Sequence, residues 1–261
     1  MNKIYSCFCF LFIFSAVTIA QKRTKLPCID KEFSIVAHIV QDSLGNNGIS
    51  SQQINNLVDQ LNPIFDSICV SFKVCDLKYI KNFRYDTIDT LKGQWKELQQ
   101  LFNVQNRINI YFVDEIKNPS GAQGFADLGS ICDTMNGGVV LKKTSTLRTI
   151  AHEMGHYFGL LHTFNIGKSG VKELVNGSNC STEGDGLCDT PADPYVKGSP
   201  LTNYIDSKCK FIYSTPDSNG QYFDPLVGNI MSYYPEACDC GFTHEQYLKM
   251  AKTYLSNPKM W

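Results

Sequence analysis

An eleven-residue segment from His152 to His162 constrains the fold of this chain more than any other feature. It reads His-Glu-x-x-His-x-x-Gly-x-x-His. On a helix, His152 and His156 project from the same face, so both imidazoles can bind one ion. Gly159 tolerates a positive φ and can turn the chain away from the helix, which brings His162 round as a third ligand. The segment therefore predicts a helix that ends in a turn, with three histidines directed at one point.

A site of this kind leaves one coordination position of the metal open for a reacting molecule. Three protein ligands leave the fourth tetrahedral position of a zinc ion free, as in catalytic rather than structural zinc sites. Glu153 lies beside the ligands, where it can accept a proton from water without binding the metal. The alternative is a helix with ordinary histidines, but the pattern fixes five positions and contains three of the chain's five histidines. We therefore expect a catalytic zinc site.

The composition is that of an ordinary globular protein. The 261 residues are enough for one domain with a sizeable core or for two small ones. The hydrophobic fraction is 43%, and the mean hydropathy is -0.18. A formal net charge of -1 gives no sign of the basic surface that binds nucleic acids or acidic membranes, so we expect neither partner.

The N-terminus has the pattern of a secretory signal peptide. Lys3 supplies a positive charge, residues 4–19 are almost wholly apolar, and Ala20 ends a run of residues that a signal peptidase accepts. The alternative, a membrane anchor, is disfavoured because the run is short and polar sequence follows. Gln21, where a lipoprotein would have cysteine, disfavours a lipid anchor. We expect cleavage after residue 20 and an extracellular or periplasmic protein without a stable membrane anchor.

The number of cysteines in the chain is consistent with export. Two of the eleven, Cys7 and Cys9, lie in the signal peptide, which leaves nine in the mature chain. In an oxidising compartment most should pair, and an odd number leaves at least one without an intramolecular partner. A second zinc site of thiolates is the alternative, but no two Cys-x-x-Cys pairs occur to support it. Cys28 could cap the zinc as a short latency switch, although we favour a disulfide for it.

Hydrophobic periodicity predicts a mixed set of elements. Strands are expected at residues 33–40, 70–74, 107–113, 124–128 and 139–141. Helices are expected from an N-cap at Ser50 to about Phe65, over residues 89–101, over the histidine segment with Thr144 or Ser145 as its cap, and after a capping box at Thr243 to Gln246. Residues 165–225 have little periodicity, which favours a disulfide-linked, ion-bound subdomain over a long free loop.

From the zinc segment onward the chain resembles the metzincins and, within them, the pappalysin family (cytophagalysin- and ulilysin-like proteases). The resemblance depends on Thr163-Phe164, on Gly184-Asp185-Gly186-Leu187-Cys188-Asp189-Thr190-Pro191, on Asn229-Ile230-Met231-Ser232-Tyr233, and on Phe242-Thr243 with Gln246. The resemblance is specific over residues 144–250 and looser over 33–143.

The resemblance implies an α+β catalytic domain of two lobes. The upper lobe would contain a twisted mixed sheet with a backing helix and the zinc helix, and the lower lobe would be loop-rich with a Met-turn and a final helix. We expect a leader at 21–32, an upper lobe at 33–162 and a lower lobe at 163–261.

The resemblance also implies roles for particular residues. His152, His156 and His162 would bind zinc, and Glu153 would be the general base. Met231 would form the apolar floor of the site, a role that an ordinary core methionine would also fill. Tyr233 would direct its hydroxyl at the metal and stabilise the oxyanion of the tetrahedral intermediate. The alternative for Tyr233 is a core aromatic residue with a satisfied hydroxyl.

Further implications concern calcium and disulfides. Asp185 and Thr190, with nearby carbonyls, match a calcium site of the family, and a loop rich in Asp and Gly suits a hard cation. A solvated turn is the alternative. The family's disulfides fall in the regions of Cys180, Cys188, Cys209 and Cys238, with the partners left open.

Two departures from the family put its preference for basic residues in doubt. Ser232 stands where the family often has Asp after the Met-turn methionine. The segment before Cys238 is also less acidic than in some members, with Glu236 as the candidate for binding a basic side chain.

The predicted function is that of a secreted, monomeric zinc endopeptidase acting on proteins or peptides. Its substrate would bind as an added strand near Gly124-Phe125-Ala126. The alternatives are a secreted binding protein that keeps a metzincin scaffold without catalysis, and a zinc hydrolase acting on other bonds.

Overall fold

The computed structural model describes residues 24–118, 120–133, 136–166, 172–238 and 240–256. The predicted signal peptide, residues 1–20, lies outside the described residues. The strands are β1 (Lys31–Val40), β2 (Val70–Ile80), β3 (Thr87–Asp89), β4 (Ile108–Val113), β5 (Glu115–Asn118), β6 (Gly124–Ala126) and β7 (Val139–Lys142). The helices are α1 (Ser51–Phe65), α2 (Gln94–Phe102), α3 (Leu147–Tyr157) and α4 (His244–Leu255). Within these ranges no helix has the length and hydrophobicity needed to cross a bilayer.

A five-stranded mixed sheet forms the centre of the fold, in the order β2-β1-β4-β7-β6. The first four strands are parallel, and β6 pairs antiparallel with β7 at the edge. All six residues of β4 are buried, as expected for a parallel strand covered on both faces. Strands β3 and β5 form a separate parallel pair. The α+β class and the mixed sheet predicted for the protein are therefore confirmed.

Alternate residues of β4 point into two cores on opposite faces of the sheet. Ile110 and Phe112 join a large cluster with residues of α1, α3 and α4. Tyr111 and Val113 join a second cluster with Trp95 of α2. The backing helix α1 and the histidine helix α3 thus pack on the same face, so one core fixes the position of both.

Helix capping was predicted well at α1 and α4. Ser50 accepts from the backbone N–H of Gln53, whose side chain accepts in return from the Ser50 N–H. Thr243 and Gln246 make the same reciprocal pair at α4. Both helices therefore begin where the sequence indicated.

The predicted start of α2 at residue 89 was wrong. Asp89 does act as a cap, since its carboxylate accepts from the N–H of Leu91, but the turn that it caps is a short 3-10 helix, Thr90–Lys92. Gly93 then has a φ of 72°, which interrupts the helical backbone, and α2 begins at Gln94. Propensity alone could not distinguish a helix from a 3-10 turn followed by a break. The sequence also did not reveal β3 and β5.

Three strand boundaries differ from the prediction by more than one residue. Strand β1 begins at Lys31, and β2 continues to Ile80 rather than ending at residue 74. The register between β1 and β2 shifts beside Cys75, where an extra residue forms a bulge and the pairing then resumes. This interruption breaks the alternation, which is why the pattern ended early. Strand β6 is shorter than predicted and ends at Ala126.

The predicted cap of the histidine helix was also wrong. Thr146, not Thr144 or Ser145, is the N-cap of α3 and accepts from the N–H of Thr149. The Ser145 hydroxyl instead donates to the carbonyl of Gln123 at 2.8 Å, which ties the start of the helix to the segment before β6.

The segment after α3 has few regular elements, as predicted, and two disulfides cross-link it. Cys180 pairs with Cys188, and Cys209 pairs with Cys238. An aromatic cluster that includes Tyr195, Tyr204 and Tyr234 fills its interior. The four candidate cysteines are thus paired with one another. In the described part of the chain, the cysteines outside disulfides are Cys75, Cys132 and Cys240.

A third disulfide, Cys28–Cys69, holds the segment before β1. It is flanked by the backbone bonds from Ile29 N–H to the Ile68 carbonyl, 2.9 Å, and from Lys31 N–H to the Cys69 carbonyl, 3.1 Å. This confirms the favoured reading of Cys28. The latency alternative requires a free thiol, which the disulfide removes.

We expect the double variant Cys28→Ser/Cys69→Ser to lower the free energy of unfolding by about 2–4 kcal/mol, because it opens a covalent loop. The loop spans a sequence separation of 41 residues. Urea unfolding monitored by fluorescence measures the effect. The single variant Cys28→Ser should not increase peptidase activity. An increase would instead support the alternative in which Cys28 caps the zinc and keeps the protein latent.

Candidate metal centre and active-site cleft

Helix α3 delivers two of the three histidines and then ends as the motif predicted. His152 and His156 lie one turn apart on it. Gly159 has a φ of 93°, and the Leu160 N–H donates to the Gly155 carbonyl at 2.9 Å, a pattern that closes helix C-termini. The chain then leaves the helix and returns His162 toward the other two imidazoles.

The three imidazoles converge as a ligand set. Their candidate ligand atoms all lie within 4.8 Å of one another, and the Nε2 atoms of His156 and His162 are 3.0 Å apart. The Nδ1 atom of His152 lies 2.7 Å from the Ile230 carbonyl oxygen, and that of His156 lies 2.7 Å from the Leu160 carbonyl oxygen. A carbonyl accepts only from a protonated nitrogen, so these contacts place the proton on Nδ1 and leave Nε2 as a lone-pair donor.

The electrostatic environment favours neutral imidazoles. Burial lowers the pKa of His152 to about 3 and that of His162 to about 2, and neighbouring imidazoles add to both shifts. Burial also lowers the pKa of His156. A neutral imidazole is the form that binds a metal cation. The donor set, its convergence and its protonation state therefore all fit zinc.

Glu153 is a buried carboxyl beside the histidines. It is 6% exposed, and its Oε2 has no hydrogen-bond partner among the described residues. Burial raises its pKa to about 8. A Cβ placed on Gly124 of β6 would lie 2.9 Å from the Glu153 Cγ, so the backbone of the edge strand passes directly over this side chain. Glu153 is thus positioned between the metal site and the edge of the sheet.

Met231 lies under the zinc helix. It is fully buried, and a Cβ on Gly155 would come within 2.5 Å of its Sδ atom. Only a glycine at this point of α3 allows the helix to approach the methionine so closely. The structure therefore places Met231 directly against α3, and its role as the apolar floor of the metal site stays a prediction.

Tyr233 packs against the ligand set. Its ring centroid is 4.8 Å from that of His162 and 5.8 Å from that of His152. Burial raises the pKa of Tyr233 to about 12, and the charge of Glu153 contributes to the rise. The phenol is therefore protonated at neutral pH and can donate a hydrogen bond close to Glu153.

A cleft of about 870 Å³ opens over these residues. Strand β6 borders it, the histidines and Glu153 lie in it, and Tyr195, Leu201 and Tyr233 also line it. Because β6 is the edge strand of the sheet, its outer side is not paired within the five-stranded sheet. The site thus has a concave surface, a metal-ligand set and an acid–base group in one place.

Comparisons with known proteins agree with this geometry. A family described as "Metallo-peptidase family M12B Reprolysin-like" matches residues 51–163, which is less than half of the chain but includes the three histidines and Glu153. An extracellular metalloprotease of Neurospora crassa is 28% identical over 189 residues, 66% of each chain. One of Arthroderma gypseum is 26% identical over 226 residues, 82% of this chain and 69% of the relative.

The chain is a zinc metalloprotease. Its fold is similar to that of mirolysin, solved in complex with a compound, with a TM-score of 0.58 and 19% identity. The likeness covers 88% of this chain and 92% of mirolysin. At this identity the likeness concerns the fold alone.

The predicted calcium residues lie in a buried, acidic part of the metalloprotease that is separate from the cleft. Asp185 and Thr190 are buried, and Asp185 accepts from the Leu187 N–H at 3.0 Å. Burial raises the pKa of Asp185 to about 7. Glu173, which the sequence did not single out, is 6% exposed. Burial and then the charge of Asp185 raise its pKa to about 8.

The structure also shows charged cleft residues that the sequence did not predict, and it shows where Glu236 lies. Arg148 and Lys197 line the cleft, although no spacing or motif marked them. Glu236, the candidate for binding basic side chains, lines a separate pocket with Cys240. Of the charged residues described as lining the cleft, Glu153 is the one acid.

We expect Gly155→Ala to destabilise the metalloprotease by about 1–3 kcal/mol, because the added methyl group overpacks against Met231. The cost should largely disappear in a Met231→Ala background, where space is available and alanine's helix propensity favours the change. A double-mutant cycle of unfolding free energies measures the coupling. Equal effects of Gly155→Ala in both backgrounds would show that the contact is not tight.

Proposed function

We propose that this metalloprotease is a secreted endopeptidase of the pappalysin type, with zinc bound by His152, His156 and His162 and with Glu153 as general base. One observation supports this most directly. Three imidazoles converge in a cleft bordered by a sheet edge, and the same cleft contains a buried Glu153 carboxyl oxygen that has no partner among the described residues. A structural zinc site would use a fourth protein ligand and would not need such a carboxylate.

The proposed chemistry is amide hydrolysis. Zinc in this site would lower the pKa of water and polarise the scissile carbonyl. The Glu153 carboxylate accepts the proton of the attacking water and passes it to the leaving nitrogen, so that the carboxyl begins and ends the cycle ionised. Its partner-free Oε2 suits this exchange, because no other hydrogen bond must break first. A nearby cation also lowers its pKa toward the ionised form that a base requires.

Tyr233 has the proposed role of oxyanion donor. Its ring lies beside two of the ligand imidazoles, and its raised pKa keeps the hydroxyl proton in place at neutral pH. A hydrogen bond aimed at the charge that develops on the carbonyl oxygen stabilises the transition state more than the bound substrate.

The substrate is proposed to bind as an extra strand beside β6. The strand Gly124–Ala126 forms the cleft border and ends the sheet. Backbone hydrogen bonds to such an edge recognise an extended chain largely independently of its sequence. The close approach of Gly124 to Glu153 brings this edge next to the base. A peptide bound there would pass the metal site.

The two alternatives lack a supporting feature. A binding protein on the same scaffold is expected to have lost a ligand or the base, whereas all four side chains are present in one cleft. A zinc hydrolase acting on other bonds would share the metal chemistry, but an open sheet edge beside the base favours a peptide.

The sequence supports the remaining parts of the proposal. The apolar N-terminal segment and the disulfides favour secretion, and the fungal relatives are named extracellular. The signal would occupy 1–20, the leader 21–32 and the catalytic domain 33–261, with its lobes divided after residue 162. We propose that the protein acts as a monomer.

We expect Glu153→Gln to keep zinc and to lower kcat for casein-like or quenched peptide substrates by at least about 1000-fold, because the base is removed. Tyr233→Phe should lower kcat about 10- to 1000-fold, because one oxyanion donor is lost. The exposed acid Glu115 offers a matched control, and Glu115→Gln should leave kcat unchanged.

A library of quenched peptides, cleaved with and without a chelator, decides between the proposal and its alternatives. Chelator-sensitive cleavage of internal peptide bonds supports it. If the zinc-loaded protein cleaves no peptide, the binding alternative is favoured. If Glu153→Gln cleaves as fast as the parent, the proposed mechanism is wrong.

A second cation, calcium, is proposed for the buried acidic group. Asp185 supplies a carboxylate, and Thr190 lies buried in the same segment. The Glu173 Oε2 has no partner among the described residues. A Cβ on Gly184 would lie within 2.0 Å of that oxygen, so the loop approaches the carboxylate as closely as a glycine allows. The charge of Asp185 disfavours the ionised form of Glu173, and a hard cation bound by both carboxylates would offset this repulsion.

We expect calcium to stabilise the zinc-loaded protein more at pH 8 than at pH 6. Without a cation, the folded pKa values of about 7 for Asp185 and about 8 for Glu173 exceed those of the unfolded chain. The cation-free stability therefore falls as the pH rises through these values, and calcium removes this loss. At a concentration about 100-fold above its Kd, calcium should raise Tm at pH 8 by roughly 5–10 °C.

Asp185→Asn should abolish the calcium-dependent rise in Tm, while the exposed-site variant Asp224→Asn should retain it. A Tm that does not respond to calcium at either pH would favour the solvated turn.

A further inference from the structure

Arg148 lies on the same helix as two metal ligands and faces the Met-turn. It is four residues before His152 on α3, so the two side chains project from one face of the helix. Burial of its guanidinium lowers its pKa, and the charge of Glu236 acts in the opposite direction. A partly buried arginine in a catalytic cleft needs a specific set of partners to offset its desolvation.

Its partners are the backbone of the segment that contains Met231. The Arg148 Nη2 donates to the carbonyl oxygens of Asn229 and Ser232, each at 3.1 Å, and to the Ser232 Oγ at 3.4 Å. The carbonyl of Ile230, inside the same segment, accepts from the His152 Nδ1 at 2.7 Å. Two side chains from one helix face thus hold three carbonyls of the four-residue segment 229–232.

Arginine suits this position better than lysine. Its guanidinium presents several N–H groups in one fixed plane, whereas an ammonium is a single, strongly hydrated point charge.

Glu236 is the acidic neighbour of Arg148, and its carboxylate accepts from the Arg148 backbone N–H at 3.4 Å. Glu236 thereby offsets the positive charge next to the zinc ligands.

The segment is fixed from its other side as well. The Asn229 Oδ1 accepts from the Met231 N–H at 2.8 Å, and the Asn229 Nδ2 donates to the Gln246 Oε1 at 2.9 Å. Asn229 therefore sets the turn itself, while Arg148 sets the distance between the turn and the zinc helix. Tyr233 follows directly after Ser232, so its ring position depends on this distance.

We propose that Arg148 is a positioning residue of the metal site. It holds segment 229–232 against α3 so that the Ile230 carbonyl orients the His152 imidazole and Tyr233 faces the ligand set. The part that concerns Tyr233 rests on the proposed endopeptidase function, whereas the part that concerns His152 depends only on metal binding.

The test uses the full mature protein with Arg148→Gln and Arg148→Lys, and with Arg84→Gln as the matched control. The Arg84 guanidinium binds the Glu97 carboxylate at 2.6 Å, and Arg84 does not line the cleft. We expect Arg148→Gln to weaken zinc affinity about 10- to 100-fold, because a partner that orients a ligand is displaced. Arg148→Lys should have a smaller effect, and Arg84→Gln should have none. Competition with a chromophoric chelator measures zinc affinity, and the absorption spectrum of the Co²⁺-substituted protein reports ligand geometry.

The kinetic part is a double-mutant cycle with Tyr233→Phe. We expect Arg148→Gln to lower kcat about 10- to 100-fold at saturating zinc, with KM changed less than about 3-fold. Tyr233→Phe should then cost much less in the Arg148→Gln background than in the parent, because the hydroxyl is already misplaced. A residue with a purely structural role would lower Tm and leave the two effects multiplicative.

The outcomes are distinguishable. Zinc affinities and cobalt spectra of both Arg148 variants equal to those of the parent would overturn the proposal, and the Lys variant provides this test if the Gln variant does not fold. Multiplicative kinetic effects would overturn the Tyr233 part. A parent without peptidase activity would contradict the proposed endopeptidase function, while the zinc measurements would still test Arg148.

Discussion

The contact between the zinc helix and the segment 229–233 is the interaction on which the rest of the site depends. On α3, the His152 imidazole lies 2.7 Å from the Ile230 carbonyl oxygen. Further along the same helix, Gly155 lies directly against Met231. The sheet and its backing helix fix where α3 lies, and this contact brings segment 229–233 of the loop-rich part to the metal site. The ligand geometry and the wall of the cleft are therefore two results of one packing interaction.

The disulfides and polar contacts of the C-terminal part support that contact from a distance. Asp189 accepts from the Thr243 hydroxyl at 2.7 Å and from the Glu245 N–H at 2.8 Å, which fixes the start of α4. Gln246, on the first turn of that helix, binds Asn229. A chain segment with few regular elements can thus hold a turn accurately, because the start of α4 and two disulfides fix it.

Local sequence patterns predicted the parts of the fold that depend on short-range interactions. The caps at Ser50 and Thr243, the positive φ of Gly159 and the three-histidine set all follow from short-range rules, and all are found. The start of α2 and the extension of β2 were missed, because Gly93 and the bulge at Cys75 interrupt patterns that are read as continuous.

The site residues that the sequence did not predict were missed for one reason. Arg148 binds carbonyls more than 80 residues away along the chain, with separations of 81 and 84. Glu173 approaches Gly184 only through the fold of an irregular segment. Neither position has a spacing or a neighbouring residue type that marks it, since its role depends on tertiary contact. The sequence could therefore predict which residues bind the metal, but not which residues hold them in place.

X-ray absorption at the zinc edge of the purified protein, loaded with one equivalent of zinc, tests the central claim most directly. Three imidazole nitrogens at about 2.0–2.1 Å with one further oxygen or nitrogen are expected, and one imidazole should be lost in His162→Ala. Scattering from sulfur at about 2.3 Å, or a spectrum unchanged in His162→Ala, would contradict a three-histidine site with an open position.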